Sequence, residues 1–183
     1  MTTYIIIGLI ILLILYIISS YNNLVKNKNM VEEGWSGIDV QLKKRSNLIP
    51  NILSSVKGYM KHEKSLLEKI TALRAQSDAA DNVLDQAKAE SSLSGSLMNL
   101  FAVAENYPEL KANENFLDLQ KQLQEIEDEI QMARRYYNGT VRNNNVLVES
   151  FPSNIIANSF NFEKFDFFEI EDPSVKEVPK VEF

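Results

Sequence analysis

Residues 116–151 read FLDLQKQLQEIEDEIQMARRYYNGTVRNNNVLVESF, and this stretch decides the fold. Side chains suited to burial recur in it at alternating steps of three and four residues, the a/d spacing of a heptad repeat. This seam consists of Phe116, Leu119, Leu123, Ile126, Ile130, Ala133, Tyr137, Thr140, Asn144, Leu147 and Phe151. The pattern predicts a helix over about residues 108–150, roughly 60 Å long. Other segments must cover its seam, because a single helix cannot bury it.

Composition limits the classes of protein to be considered. The chain has 183 residues, enough for one domain and a small appendage. Hydrophobic residues make up 45% of it, which argues against general disorder. It has no cysteine, which excludes disulfides and thiolate metal sites. Its net charge of −6 disfavours nucleic acid as a partner, because phosphate binding needs a concentrated basic face.

The N-terminal stretch 4–18, YIIIGLIILLILYII, is unbroken apolar sequence. Together with its flanks it can cross about 30 Å of hydrocarbon, so residues 1–21 are predicted to be a transmembrane anchor in the lipid bilayer. A cleaved signal peptide fits badly, since no Lys or Arg precedes the run and residues 18–20 lack the pair of small residues at a cleavage site. Lys26 and Lys28 follow the span. The positive-inside rule therefore predicts a single-pass protein of the bacterial plasma (inner) membrane, N-terminus outside and bundle cytoplasmic.

The three-and-four spacing continues beyond the anchor and predicts that the first helix extends to about Asn47. The seam positions in this part are Leu24, Lys28, Val31, Trp35, Ile38, Leu42 and Arg45. The single tryptophan, Trp35, is thereby interpreted as a core residue of the bundle. Gly34 and Gly37 beside it are expected to allow close helix contact or to leave space for its ring. A break is predicted before Pro50, which suits the first turn of a new helix.

Two further helices are predicted before the long one. The second begins at Pro50 and ends near Ser77, and the third covers about residues 79–105, with Ser77 or Asp78 as its cap. No strand-like alternation occurs in this region. The predicted class is all-α: the N-terminal transmembrane helix continues into an antiparallel helical bundle, residues 22–152, with four long helices when the first is counted.

The last stretch, residues 153–183, is predicted to be an extended arm, rich in phenylalanine and acidic residues. Five of its rings lie within nine residues: Phe160, Phe162, Phe165, Phe167 and Phe168. Disordered segments are poor in aromatic residues, so these rings are expected to be covered. The arm docks either on its own bundle, on a neighbouring subunit, or with its rings in the membrane interface.

No arrangement typical of a catalytic centre occurs in the chain. His62 is the single histidine, so a Ser-His-Asp arrangement has one candidate base and no supporting pattern. Residues 34–37, GWSG, have the wrong spacing for a nucleophile elbow, and Tyr59 stands where a di-iron bundle needs a glutamate. Four carboxylates are interpreted as part of a solvated helix face: Glu125, Glu127, Asp128 and Glu129. We therefore predict no catalytic, cofactor-binding or metal residues, no enzyme activity and no small-molecule substrate.

Several segments resemble the LemA family, in the family's order and over nearly the whole chain. They are residues 21–25 (YNNLV), 35–45 (WSGIDVQLKKR), 47–51 (NLIPN), 56–59 (VKGY), 107–116 (YPELKANENF), 133–138 (ARRYYN), 149–154 (ESFPSN) and 179–183 (PKVEF). The resemblance implies a bacterial, membrane-anchored antiparallel bundle with no established enzymatic activity. It implies no cofactor and no active-site residue.

The resemblance also indicates a role among membrane proteins. The family includes a member involved in magnetosome formation, and its genes often lie beside those of membrane proteins with a TPM domain, which are candidate partners. We predict a self-associating scaffold or interaction protein that organises membranes. The alternative is an accessory or regulatory subunit of a membrane complex such as a membrane protease.

Helix lengths predict a homo-oligomer. The long helix exceeds the helices that precede it by about 20 Å, and its end is too polar to enter lipid. Three arrangements would accommodate the extra length: a bend near residues 138–139, an oblique bundle, or a second subunit that covers the helix end. We predict the second subunit. Structural or interaction roles are assigned to Trp35, Pro50, Tyr137, Leu147, Phe151, Phe160, Phe162, Phe165, Phe167 and Phe168.

Overall fold

The described part of the chain is helical and contains no strand, which confirms the all-α class. A computed structural model describes residues 1–169. Its helices are α1 (Thr2–Val56), α2 (Lys64–Asp78), α3 (Val83–Ala104), α4 (Pro108–Lys111), α5 (Glu114–Glu149) and α6 (Ser153–Ser159). The helices are distributed over two compact units. The first is Met1–Leu48 with Gln120–Phe167, and the second is Ile49–Leu119 with Phe168 and Glu169.

Helix α1 begins in the apolar stretch and continues for 55 residues, so the predicted continuity of the anchor with the first packed helix is confirmed. The side chains of residues 4–18 are exposed, apart from Gly8 and Ile17, which are half-buried. This part of α1 is long and apolar enough to cross a membrane, as judged by its length and composition.

The predicted break before Pro50 is wrong, because α1 passes through this residue and ends at Val56. A proline inside a helix removes one hydrogen bond and costs about 3 kcal/mol. On both sides of it, Ile49, Ile52 and Val56 continue the three-and-four spacing and are fully buried. Burial stabilises by about 1.5–3 kcal/mol for each such side chain, which outweighs the proline penalty. Helix α2 accordingly begins at Lys64 rather than at Pro50.

Helices α1 and α5 pair antiparallel in the first unit. Three contacts define the register: Leu24 and Val148 share a hydrophobic cluster, the rings of Trp35 and Tyr137 lie 5.5 Å apart, and Arg45 pairs with Glu127. Successive contacts are separated by 11 and then 10 residues on α1, and by the same numbers on α5. The two helices therefore stay in register over about 30 Å.

Glycine permits a close approach between these helices at one point. A Cβ added at Gly34 would lie 3.2 Å from the Tyr137 Cα, whereas a Cβ at Gly37 would meet nothing within 4 Å. The expected close helix contact is thus confirmed at Gly34 and is wrong for Gly37. Trp35 is half-buried, with its ring against Tyr137.

The predicted long helix is divided near its start. A short helix, α4, precedes α5, because the side chain of Asn113 accepts a 3.1 Å hydrogen bond from the backbone N–H of Phe116 and caps a new helix. Helix α5 ends at Glu149. The predicted seam is buried or half-buried from Phe116 to Leu147, but its last member, Phe151, lies beyond the helix and is 80% exposed.

Helices α2 and α3 form an antiparallel hairpin in the second unit. The cap of α3 is Asn82, whose side chain accepts from the backbone N–H of Asp85, so the prediction of Ser77 or Asp78 is wrong. Ser77 instead donates a hydrogen bond to the buried Glu90. At the other end of the hairpin, the Tyr107 hydroxyl lies 3.4 Å from a Glu63 carboxylate oxygen.

The predicted arm opens with a helical segment, α6, which the sequence analysis did not anticipate. Two hydrogen bonds end this helix, from Phe162 N–H to the Ala157 carbonyl and from Asn161 N–H to the Asn158 carbonyl. Asn161 has a positive φ of 55°, so this is a Schellman motif with asparagine at the left-handed position. Irregular chain follows to Glu169. The rest of the arm, with the predicted segment 179–183, lies outside the described residues.

Candidate functional site

The best-defined site in the first unit is the seat of the C-terminal arm on α5. The Tyr137 hydroxyl donates a 2.9 Å hydrogen bond to the backbone carbonyl of Asp166. Tyr137 is buried, and its ring lies against the ring of Trp35. Burial raises the pKa of Tyr137 to about 12, with a smaller contribution from the negative charge of Asp166. The phenol therefore remains a protonated donor at neutral pH.

Two consecutive asparagines extend this seat by binding the backbone of the arm. The Asn145 amide donates to the Phe165 carbonyl and accepts from the Phe165 N–H, both at 2.9 Å. The Asn144 amide donates to the Glu163 carbonyl at 3.3 Å. Because Asn145 satisfies both backbone groups of Phe165, it takes the place that a neighbouring strand would have in a sheet.

The same site ends in an apolar cluster beside the N-terminal part of α1. Its buried members are Leu24, Val148, Ile156 and Ala157, and Ile17, Leu147 and Phe162 pack against them. The ring of Tyr21 contacts two rings of the arm, with centroids 4.9 Å from Phe160 and 5.7 Å from Phe162. Edge-to-face pairs of this kind stabilise by about 0.5–1.5 kcal/mol each. The described arm thus docks on its own helices, which was one of the three alternatives.

The predicted interaction residues occupy different environments. Leu147, Phe162, Phe165 and Phe167 are half-buried, whereas Phe168 is buried in the second unit. Phe151 and Phe160 are exposed. Sequence reasoning missed Asn145, although the run of three asparagines at 143–145 inside a helix was a signal, since asparagine is a weak helix former. Whether these residues bind a partner stays a prediction.

A buried ion pair lies further along the α1–α5 contact. Arg45 is 1% exposed, and its guanidinium donates to the Glu127 carboxylate at 2.5 Å. Glu127 is 26% exposed, so it does not belong to the solvated face to which the sequence analysis assigned it. The surface pair of Lys164 and Glu149, at 2.7 Å, contributes little to stability because both side chains are more than half exposed.

The second unit contains a groove of about 860 Å³. Its apolar lining comes from Pro50, Leu53, Met60 and Leu67, among others, and its rim carries Lys57, Lys61 and Lys64 with Glu68 as the one acidic group. Pro50, predicted to have a structural or interaction role, thus lies in this lining. A groove with an apolar floor and three lysines is suited to bind an apolar segment with acidic flanks.

Among residues 1–169, no group of three or more His, Asp or Glu side chains is placed to hold a metal ion. His62 is exposed in the connection before α2. The side chains at the arm's seat donate and accept hydrogen bonds to backbone groups, so this arrangement can hold a segment in place.

A model of the LemA family matches residues 34–183, most of the chain. The chain belongs to the LemA family. It is 26% identical over 165 residues to Protein LemA of Metamycoplasma hominis (strain ATCC 23114 / DSM 25592 / NBRC 14850 / NCTC 10111 / PG21). The aligned region covers 88% of this chain and 72% of that protein. The part matched by the LemA family includes Trp35, Tyr137 and the arm, and the apolar start of α1 precedes it.

Proposed function

We propose that this LemA-family chain is a membrane-anchored helical scaffold with no catalysis of its own. Residues 1–21 would cross the bacterial plasma membrane once, with the N-terminus outside and the two helical units in the cytoplasm. One observation carries the proposal: a single helix, α1, leads from an exposed apolar stretch into packed structure without a break. Such a helix couples the anchor mechanically to the units that would bind partners.

The seat of the arm supports a structural role. The arm connects α5 back to α1 through the Tyr137, Asn144 and Asn145 hydrogen bonds and through the Tyr21 ring contacts. This closes the end of the first unit that lies toward the apolar stretch. A scaffold needs such a fixed geometry, because a flexible joint there would leave its binding surfaces undirected.

The end of the α5 seam is where a neighbouring subunit was predicted to bind. Leu147, at the end of the α5 seam, is partly covered by the chain's own α6 and Phe162. The α5 seam is thus covered by the chain itself as far as Leu147, whereas its last residue, Phe151, is 80% exposed. A homo-oligomer stays a prediction.

The groove of the second unit favours one alternative, an accessory subunit of a membrane complex. Its proposed occupant is a segment of a partner protein with apolar residues flanked by Asp or Glu, because Lys57, Lys61 and Lys64 line the rim. Complementary charge steers such an association. Replacing these three lysines with glutamate would abolish the association while the anchor and the first unit remain intact.

Gentle detergent extraction followed by mass measurement separates the two functions. A particle made only of this chain supports the scaffold, and a foreign protein in fixed stoichiometry supports the accessory subunit. Orientation is tested by Ser65→Cys in the otherwise cysteine-free chain, because Ser65 is exposed on α2. We expect it to resist an impermeant thiol reagent in intact spheroplasts and to react after lysis. Reaction before lysis would contradict a cytoplasmic location.

A further inference from the structure

Two uncharged segments of the first unit meet at the same level. Residues 2–25 contain no Asp, Glu, Lys or Arg, and neither do residues 150–162, which include α6. They contact each other directly, since Phe160 lies against the Tyr21 ring, and Ile17 packs on the cluster that contains Ile156. The uncharged part of the arm is thus placed beside the inner end of the apolar stretch.

In α1, α5 and the arm, the charged residues begin on the same side of this level. On α1 the first are Lys26 and Lys28, on α5 the last is Glu149, and on the arm the first after α6 is Glu163. The register of α1 and α5 places Glu149 level with about residue 23. A boundary between uncharged and charged surface therefore crosses the unit just inside the apolar stretch, where a membrane–water interface would lie.

The uncharged side of this boundary carries exposed apolar groups outside the transmembrane stretch. Phe151 is 80% exposed, Ile155 55% and Phe160 53%. Single exposed apolar residues are ordinary. Here three large ones belong to one 13-residue segment, which is packed against the membrane-spanning helix. Beside an anchor in the bilayer, these three side chains would face lipid rather than water.

We propose that residues 150–162 form a second membrane-contact element, which lies in the interfacial layer beside the anchor and inserts Phe151, Ile155 and Phe160 among the lipids. The proposal rests on the proposed function, since it needs the α1 anchor to be in the bilayer. Ile17 is about 10 Å further into the apolar stretch than Leu24, and both pack on the cluster that α6 completes. Interfacial elements bury their apolar face by about 5–10 Å, which matches this position.

The occupant of this surface is lipid rather than a second copy, because the surface is continuous with the anchor. Tyr21, the residue that Phe160 contacts, is an aromatic residue at the end of the span, where tyrosine is enriched in membrane proteins. The exposed amides of Asn158 and Asn161 would remain at headgroup level. A membrane-spanning helix with a lipid-contacting element on one side has a preferred rotation about its axis. The contact of residues 150–162 with lipid would therefore fix the direction in which the helical units face.

Depth-dependent quenching tests the proposal on the full chain. The absence of cysteine allows one fluorophore per molecule, attached in Ile155→Cys, Phe160→Cys, Leu12→Cys or Met132→Cys variants. Leu12 lies within the apolar stretch, and Met132 is a control on α5 with exposure similar to that of Ile155. Each protein is reconstituted into phosphatidylcholine–phosphatidylglycerol vesicles that carry nitroxide lipids labelled either near the headgroup or deep in the acyl chain. Aqueous iodide is the second quencher.

We expect the headgroup nitroxides to quench the labels at 155 and 160, and the deep acyl-chain nitroxides to quench the label at 12, each severalfold more than the label at 132, which iodide should quench instead. If 12 is quenched but 155 and 160 are not, the interfacial element is disproved while the anchor stands. Shielding of 155 and 160 from both quenchers would mean that protein covers them, which also overturns the proposal. Equal lipid quenching at 132 would contradict it too, because the whole unit would then lie on the membrane. Absence of quenching at 12 would instead refute the anchor, and with it both proposals.

Discussion

The hydroxyl of Tyr137 donates a 2.9 Å hydrogen bond to the backbone carbonyl of Asp166, 29 residues further along the chain. The bond joins the middle of α5 to the arm at a point where the Tyr137 ring is buried against Trp35. The arm up to this residue is therefore part of the packed first unit rather than an appended tail. Its removal would leave a buried phenol without an acceptor, which is costly.

Replacing Tyr137 by phenylalanine should destabilise the first unit by about 1 kcal/mol, the usual net contribution of one hydrogen bond. The aromatic ring and its contact with Trp35 are kept, so packing changes little. Chemical unfolding of the full chain in detergent, followed by circular dichroism, measures the difference. Tyr136→Phe is the matched control, because Tyr136 is the adjacent residue of α5 and is exposed. An equal loss in both variants would show that the bond to Asp166 does not contribute.

The same phenol predicts a loss of stability at high pH. Tyrosine in an unfolded chain has a pKa near 10, and the pKa of Tyr137 in the folded chain is about 12. The folded state holds this proton more tightly, so the stabilisation is complete below pH 10 and is lost as the pH rises through 12. Two pKa units at about 1.4 kcal/mol each put this loss at roughly 3 kcal/mol. The stability advantage of wild type over Tyr137→Phe should therefore shrink and reverse across this range. A constant difference would contradict the raised pKa.

Removing the Asn145 amide should release the arm. Asn145→Ala eliminates both hydrogen bonds to the Phe165 backbone, at a cost of about 1–3 kcal/mol. Limited proteolysis with trypsin reports the release, because the peptide bond after Lys164 becomes accessible when Phe165 leaves its seat. Asn143→Ala is the control, since Asn143 is exposed on the same turn of α5. Similar cleavage rates in the two variants would mean that Asn145 does not hold the arm.

The seam of α5 was predictable from sequence because burial along a helix leaves a periodic record, and the apolar start of α1 was predictable because its apolar run is continuous. From Phe116 to Leu147 the three-and-four spacing identified covered positions of α5. The path of the arm left no such record, because Tyr137 and Asn145 bind backbone atoms, which every residue carries. The rule that proline breaks a helix gave the wrong prediction at Pro50, because the buried isoleucines on either side stabilise a continuous helix.

The capping signals were present but were not used. Asn113, Asn82 and Asn161 each end or begin a helix by a known asparagine geometry. These asparagines indicate the boundary between α4 and α5, the start of α3 and the end of α6. The pairing of Arg45 with Glu127 could not be predicted, since it depends on the register between two helices and joins residues that are 82 positions apart in sequence.

The close approach at Gly34 predicts opposite results for two neighbouring glycines. Gly34→Leu would place a side chain where even a Cβ lies 3.2 Å from the Tyr137 Cα, and overpacking of this kind costs about 1–3 kcal/mol. Gly37→Leu meets open space and should stabilise α1 by up to about 1 kcal/mol through its better helix propensity. Thermal unfolding of both variants measures the contrast. If both variants stabilise the chain, α1 and α5 are not held together at Gly34.

The ion pair of Arg45 and Glu127 predicts a non-additive pair of substitutions. Glu127→Leu removes the Glu127 carboxylate from a guanidinium that is 1% exposed, which should destabilise the chain by about 3–5 kcal/mol. Arg45→Leu leaves a partly exposed carboxylate, which water can still solvate, so it should cost less. The double variant replaces both ions by apolar side chains in a buried contact, and it should be more stable than Glu127→Leu alone. Glu129→Leu is the control for a charge lost from the exposed face of α5. Additive losses in unfolding free energy would show that Arg45 and Glu127 act independently, and the register of α1 against α5 would then rest on the Leu24–Val148 cluster, the close approach at Gly34 and the Trp35–Tyr137 pair.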